Sequence, residues 1–500
     1  MTLREKILPM PSSAEEKNSE FVFEGNIEVL FNEDGFDAEA CALYSRLWRG
    51  FSYGGTLSFK KSAAIKPHTI CTAGYNDFPD LGEYEYAISV GESGFCMVSS
   101  GTTGLIHALV SLMQLISPRA LRSVPKQLYI PCGIIKDKPV LNFRSVHLCV
   151  FPETTLDFIE RSITMAGFAK YSHIIIEFWG MIKFDCADFM SWDNAYTKDE
   201  IRPLIKLAEM LGMEVIPMLN HFGHASMSRV TSGKHVALDN DPDAALLFEP
   251  DGWTWCLSNP DTIALLKSMR EELAELCGSG EYFHFGCDEA YSYATCDICS
   301  KKDKLKILTD YLNYLADEAK AMGRKPIIWG DMFLDSQKWD KKYYALSWPE
   351  HGTHKIIDGI SRDLIIADWQ YEITDINVET AAYFKDKGFN VVLCPWDKCK
   401  NITALGEYAK QENMFGAMAT TWHTLYQNFY ILFCAAESFW SVLDRDEMDK
   451  YGYIIGRKYE NYELIMAKYL RFIFPSKGRY TKSGWHEYQI SAGGESANQE

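Results

Sequence analysis

From residue 144 onward the chain repeats one pattern. A short, almost unbroken apolar run is followed by a longer stretch in which apolar residues recur every three or four positions. The runs are "SVHLCVF" (145–151), "HIIIEF" (173–178), "EVIPML" (214–219), "YFHFG" (282–286), "KPIIWG" (325–330), "DLIIADW" (363–369), "NVVLCPW" (390–396) and "GAMATTW" (416–422). A strand that is apolar at consecutive positions has both faces buried, the condition of a parallel strand under helices. Amphipathic helices are predicted over 199–212, 260–278 and 304–323. Eight strand units alternating with helices predict an α/β fold, a (β/α)8 TIM barrel over residues 141–475, with terminal helices in 428–471 packed against it. "YYALSW" (343–348) is a ninth apolar run and is assigned to a loop.

The region ahead of the barrel reads differently. "GNIEVLF" (25–31) and "EYAISVG" (85–91) are short strands between turn residues, and 102–116 has apolar residues at helical spacing. A small α+β domain over 21–140 is expected, preceded by a polar segment at 1–20 and with a disordered tail at 476–500.

Active sites of such barrels lie at the C-terminal ends of the strands. Those ends carry Glu177, Asn220 to His224, Asp288 and Glu289, Trp329 and Asp331, Trp369 and Tyr371, Trp396, and Trp422. Each of the last four strands ends in Trp, and a pyranose ring offers an apolar C–H face to an aromatic ring.

Composition narrows the partners. At 47% hydrophobic and 24% charged residues the chain is of globular type. Its formal net charge of -18 argues against nucleic acid or an anionic membrane as the main partner, but not against a neutral ligand. The first twenty residues are charged and have no apolar core, so no secretory signal is expected, nor is there a run of about 20 apolar residues to span a membrane. Fourteen cysteines without a signal read as reduced thiols in the cytoplasm. "CDIC" (Cys296, Cys299) has the spacing of half a zinc site, and the loop with Cys394 and Cys399 is the segment considered for the other half. The Cys394–Cys399 spacing is unusual for a metal, so no metal and no cofactor are assigned.

The motifs resemble a known family. "HFGCDEAY" (284–291) is similar to the His-x-Gly-x-Asp-Glu signature of family-twenty glycoside hydrolases, the β-N-acetylhexosaminidases. "LNFRSVHLCVF" resembles their first barrel strand, "AEMLGMEVIPMLNHFGHAS" the third strand and its Gly-His loop, and "IIWGDMF", "DWQYE" and "TTWHTLY" the later Trp-bearing strands. The Cys before Asp-Glu and the Phe-Gly-His loop are closest to the intracellular hexosaminidase D branch. The resemblance implies an exo-acting enzyme that releases terminal β-linked GlcNAc or GalNAc. In this family the sugar's own 2-acetamido oxygen attacks the anomeric carbon, giving a cyclic oxazolinium and net retention. Glu289 is then the acid and base at the glycosidic oxygen, and Asp288 orients the acetamide and stabilises the cation. Arg144 is implied to grip outer sugar hydroxyls, with Trp329, Trp369 and Trp422 walling the pocket, Tyr371 donating to the acetamido oxygen, and His224 behind the pair. His284 reads equally as a positioning residue and as core.

Departures from the family pattern concern recognition. Asn220 stands where many members have Asp, Glu177 is a candidate partner for His224, and His423-Thr424 replaces a Glu that binds outer hydroxyls. The competing reading is a carbohydrate-binding barrel without turnover, which gains nothing from adjacent acids at one strand end. The partner expected is a small-molecule or oligosaccharide substrate ending in N-acetylhexosamine; the oligomeric state is left open.

Overall fold

A computed structural model describes residues 2–441 apart from 35, 120–126, 227–235, 340–341, 423–424 and 426–429. The first sheet contains β1 (Ser13–Phe23), β2 (Ile27–Asn32), β3 (Leu57–Lys61), β4 (Thr69–Thr72), β5 (Tyr86–Gly91), β6 (Gly94–Ser99), the two-residue β7 (Ser117–Pro118) and β8 (Leu128–Asp137). Its order is β1-β8-β5-β6-β4-β2-β3, with β7 paired to β8. Helices Ala38–Phe51 and Thr102–Leu115 complete the small domain.

One expected boundary moves. Residues 1–20 are not a separate polar segment: β1 pairs antiparallel with β8, and Leu3, Ile7 and Leu8 are buried. β1 is an edge strand whose Glu15, Glu16 and Lys17 lie toward solvent, so it reads as polar.

The second sheet is a closed parallel barrel, in chain order, of β9 (Phe143–Cys149), β10 (His173–Glu177), β11 (Glu214–Met218), β12 (Tyr282–His284), β13 (Lys325–Trp329), β14 (Ile365–Trp369), β15 (Asn390–Cys394) and β16 (Gly416–Thr420). All eight apolar runs are barrel strands. The ninth, 343–348, makes only an isolated bridge between Ser347 and Asp335 and lies in a loop. The connecting helices begin where local chemistry satisfies their first amides. Thr197 and Glu200 form a capping box, Asn259 caps a helix with Pro260 at its first position, and Asp303 caps Lys304–Ala321. Helix Tyr430–Trp440 is the described part of the terminal helices; 442–471 and the tail 476–500 lie outside the described residues.

Side chains alternate along each strand, so the barrel interior and the layer under the helices are separate cores. Phe143, Ile175, Ile216, Met218, Tyr282, Ile327, Ile365, Val392 and Met418 fill the interior. Arg144 belongs to the other register, near the N-terminal end of β9. This places it at the opposite end of the barrel from Asp288 and Glu289.

Arg144 is buried there in a charged knot between barrel and small domain. Its guanidinium donates to the carbonyls of Leu141 (2.6 Å), Asn142 (3.2 Å) and Lys170 (3.1 Å) and lies 4.7 Å over the Trp440 ring. Lys170, fully buried, donates to Tyr86 Oη (2.8 Å) and to Asp137 Oδ2 (3.3 Å). The Trp440 indole N–H also reaches Asp137 (3.0 Å). Glu85 accepts from His107 Nδ1 at 3.0 Å and adds a second carboxylate whose charge is felt by Arg144. Burial lowers the pKa of Lys170 and Asp137 opposes that shift. The sugar-hydroxyl role implied for Arg144 is therefore corrected: the side chain is a structural cation whose hydrogen bonds are already taken.

Candidate active site

The ladder between β11 and β12 continues past β12, where His221 N–H donates to Phe285 O at 2.9 Å, and then the chain turns sharply. Gly286 makes the turn at φ +66, and a Cβ there would meet Asn220 Oδ1 at 2.1 Å. The neighbouring loop approaches equally closely: a Cβ on Gly223 would lie 2.0 Å from Asp288 O. Glycine is required at Gly223 by contact, and at Gly286 by contact and by its left-handed backbone. Around them Trp179, His224, Cys287, Glu289 and Trp422 hold positive φ values of 40, 57, 76, 49 and 44. Each such residue costs on the order of 1–3 kcal/mol, and a cluster of them marks a backbone held by its surroundings for a purpose.

The result is a carboxylate pair around one imidazole. His224 Nε2 lies 3.1 Å from Asp288 Oδ2 and 3.1 Å from Glu289 Oε2. Asp288 is buried, whereas the Glu289 side chain remains 27% exposed and reaches the mouth of the site. Asp288 Oδ1 is buried and has no hydrogen-bond partner among the described residues. The Trp253 indole N–H donates to Glu289 O at 2.5 Å while its ring packs on His224 at 4.6 Å.

Asp331, which the sequence places at a strand end without a role, is a third carboxyl. Its Oδ2 accepts the Glu289 amide N–H (3.0 Å) and its Oδ1 the Trp369 indole N–H (3.1 Å). Burial, then the charge of Asp288, pushes Asp331 well above the ordinary carboxyl range.

An aromatic wall adjoins the carboxyls. Trp369 packs against Tyr344 (4.7 Å) and Tyr371 (5.2 Å), and Tyr371 against Trp396 (5.2 Å). The half-buried Trp422 donates its indole N–H to Tyr371 Oη at 3.0 Å and lies 6.0 Å from the buried Trp329. Trp179, which the sequence reading missed, touches both Trp422 (6.2 Å) and His224 (6.3 Å).

Of the residues singled out in the sequence, Asp288, Glu289, His224, Trp329, Trp369, Tyr371 and Trp422 come together; Arg144 does not. Glu177 partners His147 Nε2 (3.1 Å) and the Asn220 amide (2.5 Å) deep in the barrel mouth. His284 is a core residue: its Nδ1 accepts the Gly286 amide N–H (3.1 Å), its ring packs on Trp329 at 4.5 Å, and burial pushes its pKa down to about 3. His423 and Thr424 lie outside the described residues.

A model of the glycosyl hydrolase family 20 catalytic domain matches residues 177–441, more than half of the chain, and one of family 20 domain 2 matches residues 4–138. The chain belongs to glycosyl hydrolase family 20. The family 20 relatives are distant. A beta-hexosaminidase of Vibrio furnissii is 22% identical over 78% of this chain and 62% of its own length. Hexosaminidase D of Bos taurus is 26% identical over 32% of this chain and 47% of its own. The chain thus spans less than two thirds of either curated relative. Among solved structures, an exo β-N-acetylglucosaminidase of Vibrio harveyi in complex with N-acetylglucosamine has the same fold, with TM-score 0.68 and 16% identity over 94% of this chain and 78% of that one. Among the described residues no helix is long and apolar enough to cross a membrane.

Proposed function

We propose that this chain is an exo-acting β-N-acetylhexosaminidase that hydrolyses terminal β-linked GlcNAc or GalNAc with retention, using the substrate's acetamide as nucleophile. The observation that carries the reading is Asp288 Oδ1, a buried carboxylate oxygen without a partner among the described residues, beside a partly exposed Glu289. A buried lone acceptor is costly unless something arrives to fill it. An acetamido N–H does so, and the carbonyl oxygen at its other end is then turned toward the anomeric carbon. Glu289 protonates the departing glycosidic oxygen, then takes a proton from water as the oxazolinium opens. His224, touching both carboxylates, fixes their separation. Trp369 and Trp422 pack the acetamido methyl and the sugar face, with the fully buried Trp329 backing Trp422, and Tyr371, held by the Trp422 indole, donates to the acetamido oxygen.

Family membership and the relatives' names support the same reading, as does the N-acetylglucosamine held by the Vibrio harveyi enzyme. The intact pair speaks against a barrel that only binds. Fourteen cysteines without a disulfide support a reducing compartment, and we assign the protein to the cytoplasm; recovery with a periplasmic or secreted fraction would overturn that. The activity is tested with aryl β-glycosides that differ only at C2. Turnover of the 2-acetamido substrate and negligible turnover of the glucoside is expected; comparable kcat for the two would exclude substrate assistance.

A further inference from the structure

The fold completes the "CDIC" pair, but not with the partners considered in the sequence. Cys394 ends β15 and Cys399 starts the helix after it, whereas Cys296 and Cys299 meet Cys256 and Glu249. One donor atom from each of these four residues lies within 4.8 Å of every other. Cys256 Sγ is 3.5 Å from Cys296 Sγ and 3.6 Å from Cys299 Sγ. A zinc ion with Zn–S bonds of about 2.3 Å in a tetrahedron separates its sulfurs by about 3.8 Å, so the spacing is that of a coordination polyhedron. Cys256, Cys299 and Glu249 are buried, and the Cys299 amide N–H points at Cys296 Sγ at 3.3 Å, a backbone donor aimed at the sulfur across the two intervening residues. Three apposed sulfurs also exceed the two that a disulfide uses.

We propose that Cys256, Cys296, Cys299 and Glu249 bind one structural zinc ion. Three thiolates and a carboxylate give the same total charge as a four-thiolate site. Glu249 is already oriented for this: its Oε2 takes the amides of Thr295 (2.9 Å) and Cys296 (2.6 Å), while its Oε1, among the described residues, takes one, that of Ala294 (3.2 Å), and has a second lone pair to offer. The site fastens two loops of the catalytic centre together. The 249–256 loop carries Trp253, which holds Glu289 O and packs on His224; the segment 292–299 follows directly from the acid pair, and Ser292 Oγ donates to Thr254 Oγ1 at 3.1 Å. A zinc there fixes the acid's backbone without touching substrate.

The test is metal analysis of the whole chain, purified without chelator from zinc-supplemented culture. Close to one zinc per chain is expected, falling below about a tenth in Cys296→Ser/Cys299→Ser. Cobalt(II) added to reduced, zinc-stripped protein should give the intense thiolate-to-metal absorption of a tetrahedral site. Glu249→Gln, with its amide oxygen in the Oε2 position, should keep the Thr295 and Cys296 amides paired and lose only the Ala294 bond, yet weaken zinc in a chelator competition by about tenfold or more. Folded wild-type protein with no zinc and no cobalt spectrum would overturn the site. Two thiols fewer than fourteen on denaturing, non-reducing titration, without metal, would replace it with a disulfide. Unchanged zinc affinity in Glu249→Gln would remove Glu249 as the fourth ligand.

Discussion

Replacing Asp288 by Asn separates the chemistry of this residue from its shape. The amide keeps the volume, its oxygen can still accept a bond at the position of Oδ1, and its nitrogen can donate to His224 Nε2, now 3.1 Å from Oδ2. What is lost is the negative charge beside the developing oxazolinium. A hydrogen bond to a charged group contributes roughly 1.5–3 kcal/mol, which is about 10- to 150-fold in rate. The loss belongs to the transition state, so kcat should fall by that factor and KM should change little. The cyclic thiazoline analogue of N-acetylglucosamine mimics the intermediate, and its inhibition constant should rise by a factor similar to the fall in kcat/KM. Stability should move the other way. Asp288 contributes to the upward shift of Asp331, so neutralising it relieves repulsion, and the variant should unfold at the same or a higher denaturant concentration. Unchanged inhibitor affinity together with lowered stability would refute the assignment, because that is the behaviour of a structural charge.

Glu289→Gln should lose about 10²- to 10⁴-fold on substrates with poor leaving groups and far less on activated aryl glycosides; equal losses would remove it as the acid. Arg144→Met should leave KM within error but lower the unfolding free energy by about 1–3 kcal/mol or more, since three carbonyls lose their donor; a raised KM in a protein of wild-type stability would return Arg144 to the pocket. His284 titrates at about 3 in the fold but near 6.5 when unfolded, so below pH 6.5 only the unfolded chain takes the proton and stability falls with acid, by about 1.4 kcal/mol per pH unit. His284→Leu should make urea midpoints between pH 4 and 6.5 correspondingly flatter; curves parallel to wild type would contradict the burial.

The barrel was legible because strands buried on both faces leave continuous apolar runs, and a residue's place at a strand end follows from where the run stops. The same logic failed for β1, whose exposed edge carries Glu and Lys and hides its pairing. Arg144 was misplaced because residue type was read without register: it sits one position out of phase with Phe143 and His147 and five before the end of β9. Asp331 was visible as a strand-end acid, but its role depends on the Glu289 amide and the Trp369 indole, 42 and 38 residues away. Cys256, 40 residues before Cys296, carried no local signal that could have joined it to "CDIC".

The charged knot under the barrel bears on what can be cut away. Arg144, Lys170 and Trp440 belong to the barrel, while Asp137, Glu85 and Tyr86 come from the preceding domain. A barrel produced from residue 141 alone would retain two cations in an apolar floor and lose every counter-ion named for them. Removing one partner of a buried pair costs about 3–5 kcal/mol, a large part of the stability of an ordinary domain. The small domain, remote from the chemistry, thus acts as the barrel's built-in counter-charge, and excising it should cost the enzyme its fold before it costs any contact with sugar.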